Sequence, residues 1–537
     1  MSKLYIFAIG GSGARVMRSF SMLLASGQQQ MKNYDVYPII LDYDETNGDT
    51  AIATRCIENY KRIHDAAWSN AKQVEEEKKE KHEGGFFLSN LRQLKDDDEF
   101  GASSFRMIYA PKGDNVFHKY IGYNQLKGDT ANTKLLMQAL YNTDETSDDS
   151  EINLNMKVGF KGNPNIGSVV FHDIDVECDE FRKFMGGLNE NDKVIVVGSL
   201  FGGTGSSGIP EVIRKIRKEE KGKKVKIGAV LIMPYFAPDP KPGGTIRWKI
   251  FNAKTKAAIN YYYDSELIKI DDAGNLAKGS KLDSVYFIGD PVLTQLPYCD
   301  GGEDQINPAN PVEFLSAVSI LHFVDESDPK GCFKYGAGRF IVGENVGVSN
   351  LSYEDLYQKE DFFEPIFQSL TFFTIAMKYT MFRMLKPDKS LKRTSYYKSL
   401  GLDQPSQKMT KLLEDLKLFW NEYKTWIEEL CNKNNAESEF HNSHTISMFS
   451  TEENLDILVT GNEEDANDSR RERRRKQNKA VDGSTIDAMI NGTLDKFKKG
   501  NLGFNLVTED KEFLLLIGLF YACRDKDDII KPLFYSK

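Results

Sequence analysis

The sequence is poor in the residues that carry covalent and metal chemistry. Cysteine occurs six times in 537 residues, at Cys56, Cys178, Cys299, Cys332, Cys431 and Cys523. No two are spaced as CxxC, which excludes zinc ribbons and thioredoxin-type redox motifs. Reduced thiols in a cytoplasmic protein are the expectation. Histidine is scarce too: His441 and His444 stand three apart with no further ligand nearby, so no metal site is expected. Ser-His-Asp, HExxH and kinase-type sets are absent, as is the GxxxxGK[ST] phosphate loop. Basic residues are not in excess: 70 against 79 acidic ones give a net charge of −9, which argues against a general nucleic-acid coat. No apolar run is long enough to span a membrane. The longest near the C-terminus, Phe513 to Cys523, is about half a span and reads as a buried helix. The first residues enter an apolar strand directly, without the core and cleavage site of a signal peptide.

What is present is an ordinary globular composition, 40% hydrophobic and 28% charged, at a length that suggests several structural units. Lys3 to Ile9 is nearly all apolar, as in a strand buried on both faces. Glycines follow, then a helix to Ala25 that Gly27 would stop. A second strand, Val36 to Leu41, ends in Asp42-Tyr43-Asp44. Lys193 to Gly198 and Lys226 to Met233 repeat the buried-strand pattern around a helix at 209–218, and Ser284 to Ile288 adds a short strand. Such alternation of strands and helices predicts an α/β fold with a parallel sheet. Pro311 to Val324 is apolar on nearly every side, so this helix should be buried all round. Its His322 reads as a satisfied core residue. Helices at 362–385 and 408–431 follow, then a polar stretch from Thr451 to Gly483. The basic cluster Arg470 to Lys476 follows the acidic Glu463 to Asp468 and reads as part of a charge-balanced solvated linker.

Two glycine-rich loops leave buried strands and enter helices: Gly10-Gly11-Ser12-Gly13 and Gly202-Gly203-Thr204-Gly205-Ser206. Glycine lets the backbone approach an anion, and a helix start offers unpaired N–H groups with a partial positive charge. Thr204, Ser206 and Ser207 add hydroxyl donors. Two such loops in one sheet can cup a polyphosphate from different directions. The first loop lacks the third glycine of a dinucleotide fingerprint. A third segment, Gly159 to Gly167, is rich in glycine and asparagine without a clear purpose.

The second loop, after its buried strand, resembles the signature loop of the tubulin and FtsZ superfamily, and the order of elements is similar over about residues 3–350. Gly198-Ser199-Leu200-Phe201 before the signature, and Gly159 to Gly167, are most similar to the divergent bacterial tubulin-like proteins. The resemblance implies a Rossmann-like parallel-sheet nucleotide domain (1–305, with insertions at about 70–130). It implies a central buried helix (306–327); composition and periodicity beyond it predict a second domain at 328–450, α+β then helical, a charged linker at 451–483 and a C-terminal helical segment at 484–537. The resemblance implies GTP or GDP as ligand, with magnesium as a companion ion. Gly10, Gly11, Ser12 and Gly13, with Gly202, Gly203, Thr204, Gly205 and Ser206, would hold phosphates. Asp42 and Asp44 would stand near phosphate and metal, or serve only as acids at a strand end. Asn307 and Asn310 would read the guanine edge, or cap the following helix.

The sequence also departs from that pattern. Polymerising members carry Asn-x-Asp-x-x-Asp after the core helix, completing the hydrolytic site of the next subunit. Here Asp325-Glu326-Ser327-Asp328 supplies acids at another spacing. Asp325 and Asp328 are the candidate catalytic residues. The expected function is a guanine-nucleotide-binding protein, either a weak GTPase or a nucleotide-gated scaffold that self-associates and meets protein partners through its C-terminal half. The alternatives are a non-hydrolysing interaction scaffold on the same fold and a dinucleotide-dependent enzyme.

Overall fold

The computed structural model describes residues 2–78, 84–94, 105–108, 115–144, 146, 150–220, 225–240, 248–271, 276–290, 293–325, 331–336, 339–341, 346–347, 351–352, 363–431, 446–447, 459–460, 481–498 and 510–524. The sheet is built from β1 (Ser2–Ile9), β2 (Tyr34–Asp42), β3 (Asn90–Leu91), β4 (Arg106–Ile108), β5 (Lys193–Ser199), β6 (Lys226–Ile232), β8 (Ser284–Gly289), β10 (Gly331–Gly336), β11 (Arg339–Ile341) and β12 (Val346–Gly347). A separate short pair joins β7 (Phe236–Pro238) to β9 (Thr294–Leu296). The main order is β3-β2-β1-β5-β6-β8-β10-β11-β12, with β4 also paired to β2. Strands from β3 to β10 run parallel, and β11 and β12 are antiparallel additions.

The strand sequences are continuously apolar because both faces are covered. Along β1, Leu4, Ile6 and Ala8 enter one hydrophobic core, while Tyr5, Phe7 and Ile9 enter the other. In β5, Ile195 and Val197 take the first face, Val194 and Val196 the second. The helices that bear on function are α1 (Gly10–Ala25), α2 (Gly48–Lys78), α3 (Pro164–Phe171), α4 (Thr204–Glu219), α5 (Phe251–Asp264), α6 (Pro311–Asp325), α7 (Phe363–Tyr379), α8 (Gln407–Cys431), α9 (Gly483–Lys498) and α10 (Lys511–Arg524). Helices α3 and α4 contribute to the second core; α1, α2 and α6 contribute to the first. Both glycine-loop helices begin earlier than apolar periodicity alone suggests: α1 starts at Gly10, so the first loop is its first turn, and α4 starts at Thr204, directly after Gly202 and Gly203.

α6 is buried as expected: of its fifteen residues only His322 and Asp325 keep appreciable exposure. His322 Nδ1 lies 2.8 Å from the Tyr286 hydroxyl. Its last carbonyls, Phe323 and Val324, accept from the buried Lys193 ammonium at 3.2 and 3.0 Å. A cation at a helix C-terminus satisfies otherwise orphaned carbonyls.

The C-terminal helices do not build a core of their own. Residues of α7, α8, α9 and α10 belong to the same apolar cluster as α1, α2 and α6. Trp426 of α8 donates its indole N–H to Ser19 of α1 at 3.0 Å. Trp68 of α2 meets Phe513 of α10 edge-on at 5.1 Å between ring centres, and Phe86 meets Phe520 at 5.1 Å. The Phe513 to Cys523 run is therefore a buried helix, as its length implied. The Arg470 to Lys476 cluster, His441 and His444 lie outside the described residues. No helix among the described residues is long and apolar enough to cross a membrane.

Candidate functional site

β1 is flanked by β2 on one side and β5 on the other, so the direction of strand addition reverses at β1. In open parallel sheets, the crevice beyond the carboxyl ends at such a reversal is the usual ligand site. A cleft opens there. One wall carries Gly10, Gly11, Ser12 and Arg15; another carries Gly202, Gly203, Thr204 and Gly205.

The two loops face each other closely. A β-carbon on Gly10, whose φ is +73°, would come within 3.3 Å of Thr204 Cβ and 3.4 Å of Gly205 N. A β-carbon on Gly205 would lie 2.8 Å from Ser199 N, and one on Gly203 2.9 Å from Phe160 Cβ. Neither α1 nor α4 has a side-chain N-cap hydrogen bond or an acidic residue in its first turn. Two positive helix ends therefore converge on one cleft without a built-in anion.

The hydroxyls divide. Thr204 lines the cleft, while Ser206 donates to the Gly202 carbonyl and Ser207 to the Gly203 carbonyl, both back into the loop. Gly13 is likewise not on the lining: a β-carbon there would strike the Ala8 backbone at 2.7 Å, so it seats α1 on β1.

The acidic strand end also divides. Asp44 uses both oxygens on the fold: Oδ1 accepts from Thr46 N at 3.0 Å and its hydroxyl at 2.9 Å, and Oδ2 accepts from Gly302 N at 2.8 Å. It pins the 299–307 loop to the end of β2. Asp42 Oδ1 accepts a long 3.3 Å bond from Asp44 N. Burial, then the charge of Asp44, raise its carboxyl to about 7 against weaker lowering by backbone N–H groups and Arg106. Both acids line the cleft. No group of three metal-ligating side chains exists among the described residues. One or two carboxylates with substrate phosphates nevertheless suffice for magnesium, and Asp42 has lone pairs to give.

Lys161 also lines the cleft, on a loop where Gly159, Lys161 and Gly162 all have positive φ (+83°, +43° and +75°). Positive φ at a lysine is uncommon and marks a local constraint. The nearby Lys254 ammonium donates to the Gly162 carbonyl, and burial pushes its pKa down. The purpose of the 159–167 segment, open in the sequence, is to form this third wall and the start of α3. Phe201, Phe236 and Phe251, with Pro238 and Leu296, make an apolar side to the cleft. Cys299 is there too, its thiol pushed up by burial.

Under the cleft floor lies a buried ionic cluster. Arg15 donates to Glu313 Oε1 at 2.6 Å, to Asp49 Oδ2 at 2.9 Å and to the Tyr235 hydroxyl, which itself donates to Glu313 Oε1 at 2.7 Å. Burial works against the Arg15 charge, but Tyr235, Glu313 and Asp49 outweigh it and hold the guanidinium well above its ordinary value. Burial raises Glu313, with Arg15 opposing. Asp49 also accepts from Asn307 N at 2.9 Å and Asn307 Nδ2 at 2.8 Å. Four chain segments (α1, α2, the turn after β6, and α6) are thereby fixed around the cleft. Glu313 is the only acid between Pro311 and Val324, and a lone charge in an apolar helix requires a buried partner. That signal was available in the sequence.

Asn307 lines the cleft with its amide nitrogen committed to Asp49. Asn310 does not line it: its Oδ1 accepts from Val312 N at 2.9 Å at the start of α6, and its Nδ2 donates to Thr294 Oγ1 at 3.2 Å. Asp325 is exposed at the far end of α6, near Lys193 at the opening of β5 and so at the opposite edge of the sheet. A fifteen-residue helix is about 22 Å long. Asp325 therefore cannot reach the cleft of its own chain. Asp328 lies outside the described residues.

Residues 172–253, which hold β5, the second glycine loop, α4 and β6, match the family described as tubulin like. No curated protein matches the chain.

Proposed function

We propose that this chain, a member of the tubulin-like family by its 172–253 segment, binds a guanine nucleoside polyphosphate in the cleft at the ends of β1 and β5. The observation that carries the reading is the convergence of two helix N-termini, both free of capping side chains and first-turn acids, through glycines that have no room for a β-carbon. Phosphates would rest on Gly10 to Ser12 and Gly202 to Gly205, with the Lys161 ammonium adding charge from the third wall. The apolar side at Phe236 and Phe251 suits a base or ribose face. When bound, magnesium would neutralise phosphate charge; Asp42 is the residue that would hold it.

Turnover in this reading is slow for the single chain. Among the described residues the acids lining the cleft are Asp42, Asp44, which is committed to Thr46 and Gly302, and Asp300, and Asp325 stands at the opposite edge of the sheet. Hydrolysis of consequence would need the acids of a second copy. The protein then acts as a nucleotide-gated scaffold, alone or in self-association.

The test is ligand-induced stabilisation, since a ligand bound only by the folded state stabilises it by RT ln(1 + [L]/Kd). GTP and GDP should raise the melting temperature, and Thr204→Val should reduce that rise while leaving the unliganded protein folded. Stabilisation by NAD but not GTP would replace the reading with a dinucleotide enzyme. No response to any nucleotide would end it. Gly205 is unsuitable for this test, because a side chain there meets the Ser199 backbone and disturbs the fold itself.

A further inference from the structure

The loop that precedes α6 meets the start of α2 through a run of hydrogen bonds. Gly48 N donates to Gly302 O at 3.1 Å and Asp49 N to Gln305 O at 2.8 Å. The loop therefore occupies the N-terminus of α2 and leaves no anion site there. Its side chains continue the pattern in a way that sets a direction. The Thr50 backbone N–H can only donate, and it donates to Asn47 Oδ1 at 3.0 Å. The other end of the Asn47 amide must then be Nδ2, which donates to Gln305 Oε1 at 3.0 Å. The free end of the Gln305 amide is in turn Nε2, a donor. That nitrogen lies 3.2 Å from where a β-carbon on Gly11 would stand, above the first turn of α1. Gln305 and Gly11 both line the cleft.

We propose that Gln305 is an anion-binding residue of the cleft, its amide turned donor-inward by the Thr50–Asn47 relay so that it shares a phosphate oxygen with the N-terminus of α1. This rests on the polyphosphate reading of the cleft and extends it to a residue from the loop before the core helix. The reason for an amide at this place is geometric. A lysine would bring a charge that the Arg15 cluster below does not require. A hydroxyl would leave its direction undecided, whereas a glutamine held at its oxygen presents only N–H groups. Asn47 also lines the cleft, but its Oδ1 is taken by Thr50 N–H and its Nδ2 donates to Gln305 Oε1, so it is a positioning residue.

Because a hydrogen bond to a charged partner is among the stronger ones, Gln305→Leu should weaken binding about ten- to a hundredfold. Gln305→Glu keeps the shape and the acceptor toward Asn47 but presents an anion inward, so it should weaken binding further. Asn47→Asp keeps the bond from Thr50 N–H but cannot donate to Gln305. The glutamine amide should then turn over, present its oxygen to the ligand, and lose a similar amount. In a Gln305→Leu background, Asn47→Asp should add only a small charge effect, because the group it orients is gone.

The experiment measures dissociation constants of the full-length chain and these four variants for GTP, GDP and inorganic pyrophosphate, with the melting temperature of each unliganded variant. Weaker binding by all three single variants, with non-additivity of Gln305→Leu and Asn47→Asp in the double, supports the proposal. Unchanged constants, or a loss confined to unliganded stability, overturn it while leaving the nucleotide reading in place. Binding of pyrophosphate without GTP overturns the nucleotide reading and still measures the Gln305 contribution on pyrophosphate. Binding of neither by the native chain overturns both.

Discussion

Asp42→Asn isolates the cost of a buried carboxylate from its geometry. The carboxyl is raised from 3.8 to about 7, first by burial and then by the neighbouring Asp44. In the unfolded chain it returns to the ordinary range. Between about pH 4 and 7 the folded protein therefore holds a proton that the unfolded chain has released. The neutral group's contribution to stability is complete below pH 4, falls as pH rises, and levels off above pH 7. At about 1.4 kcal/mol per pH unit, a change from 3.8 to about 7 corresponds to about 4 kcal/mol as an upper bound. Asparagine stays neutral throughout and retains an oxygen to accept from Asp44 N–H. The variant should match the native protein near pH 4 and exceed it by about 1–4 kcal/mol at pH 8, a rise of a few degrees in melting temperature for a chain of this size. Thermal scans of both proteins without nucleotide or divalent ions, from pH 4 to 8.5, give the difference curve. The same variant should lose magnesium-dependent nucleotide affinity, and native affinity in magnesium should rise between pH 6 and 8 as the carboxyl ionises. A stability difference that is flat with pH, or a variant less stable at pH 8, would refute the reasoning.

Other perturbations have equally definite outcomes. Arg15→Met leaves Asp49 and Glu313 buried without their cation and should cost about 3–5 kcal/mol in a denaturant titration; Glu313→Gln should cost less, because Tyr235 and Arg15 still find an acceptor. Leu321→Ala empties part of a fully buried helix and should cost about 2–5 kcal/mol, read from the shift in the unfolding midpoint. GTP turnover by dilute protein should be far below about 10 per second, and Asp325→Ala should leave it unchanged while removing any increase with protein concentration. A loss of nucleotide affinity in Asp325→Ala would contradict the position of Asp325 away from the cleft.

The parts legible in the sequence were those governed by local pattern. Continuous apolar strands such as Val194 to Val197 announced a sheet covered on both faces, and the glycines at 10–13 and 202–205 announced turns that become helix starts. The helix at Pro311 to Asp325 was legible because no face of it was polar. What escaped depended on distant segments meeting. Gln305 is one polar residue in an irregular loop until Asn47, some 260 residues earlier (about 258 in sequence), fixes its amide. Lys161 carried no periodic signal, because its role comes from a left-handed backbone. Arg15 carries no local signal of burial; only the approach of α2, Tyr235 and α6 makes it buried and paired. The amphipathic stripe of α8 signals burial but does not say that α1 is its partner.

The docking of α10 against α2 has a consequence for biosynthesis. Trp68 and Phe86 leave the ribosome well before Phe513 and Phe520, which cover them. At about 5–20 residues per second, the roughly 450 residues between them take some 20 to 90 seconds to make. For that interval the nascent sheet domain carries an uncovered aromatic surface in a crowded cell. Its strands and glycine loops can form meanwhile, yet the layer above α2 stays open until α10 arrives. A nascent chain of this design has reason to recruit a chaperone, and any premature stop before residue 513 would release a product with its stickiest face outward.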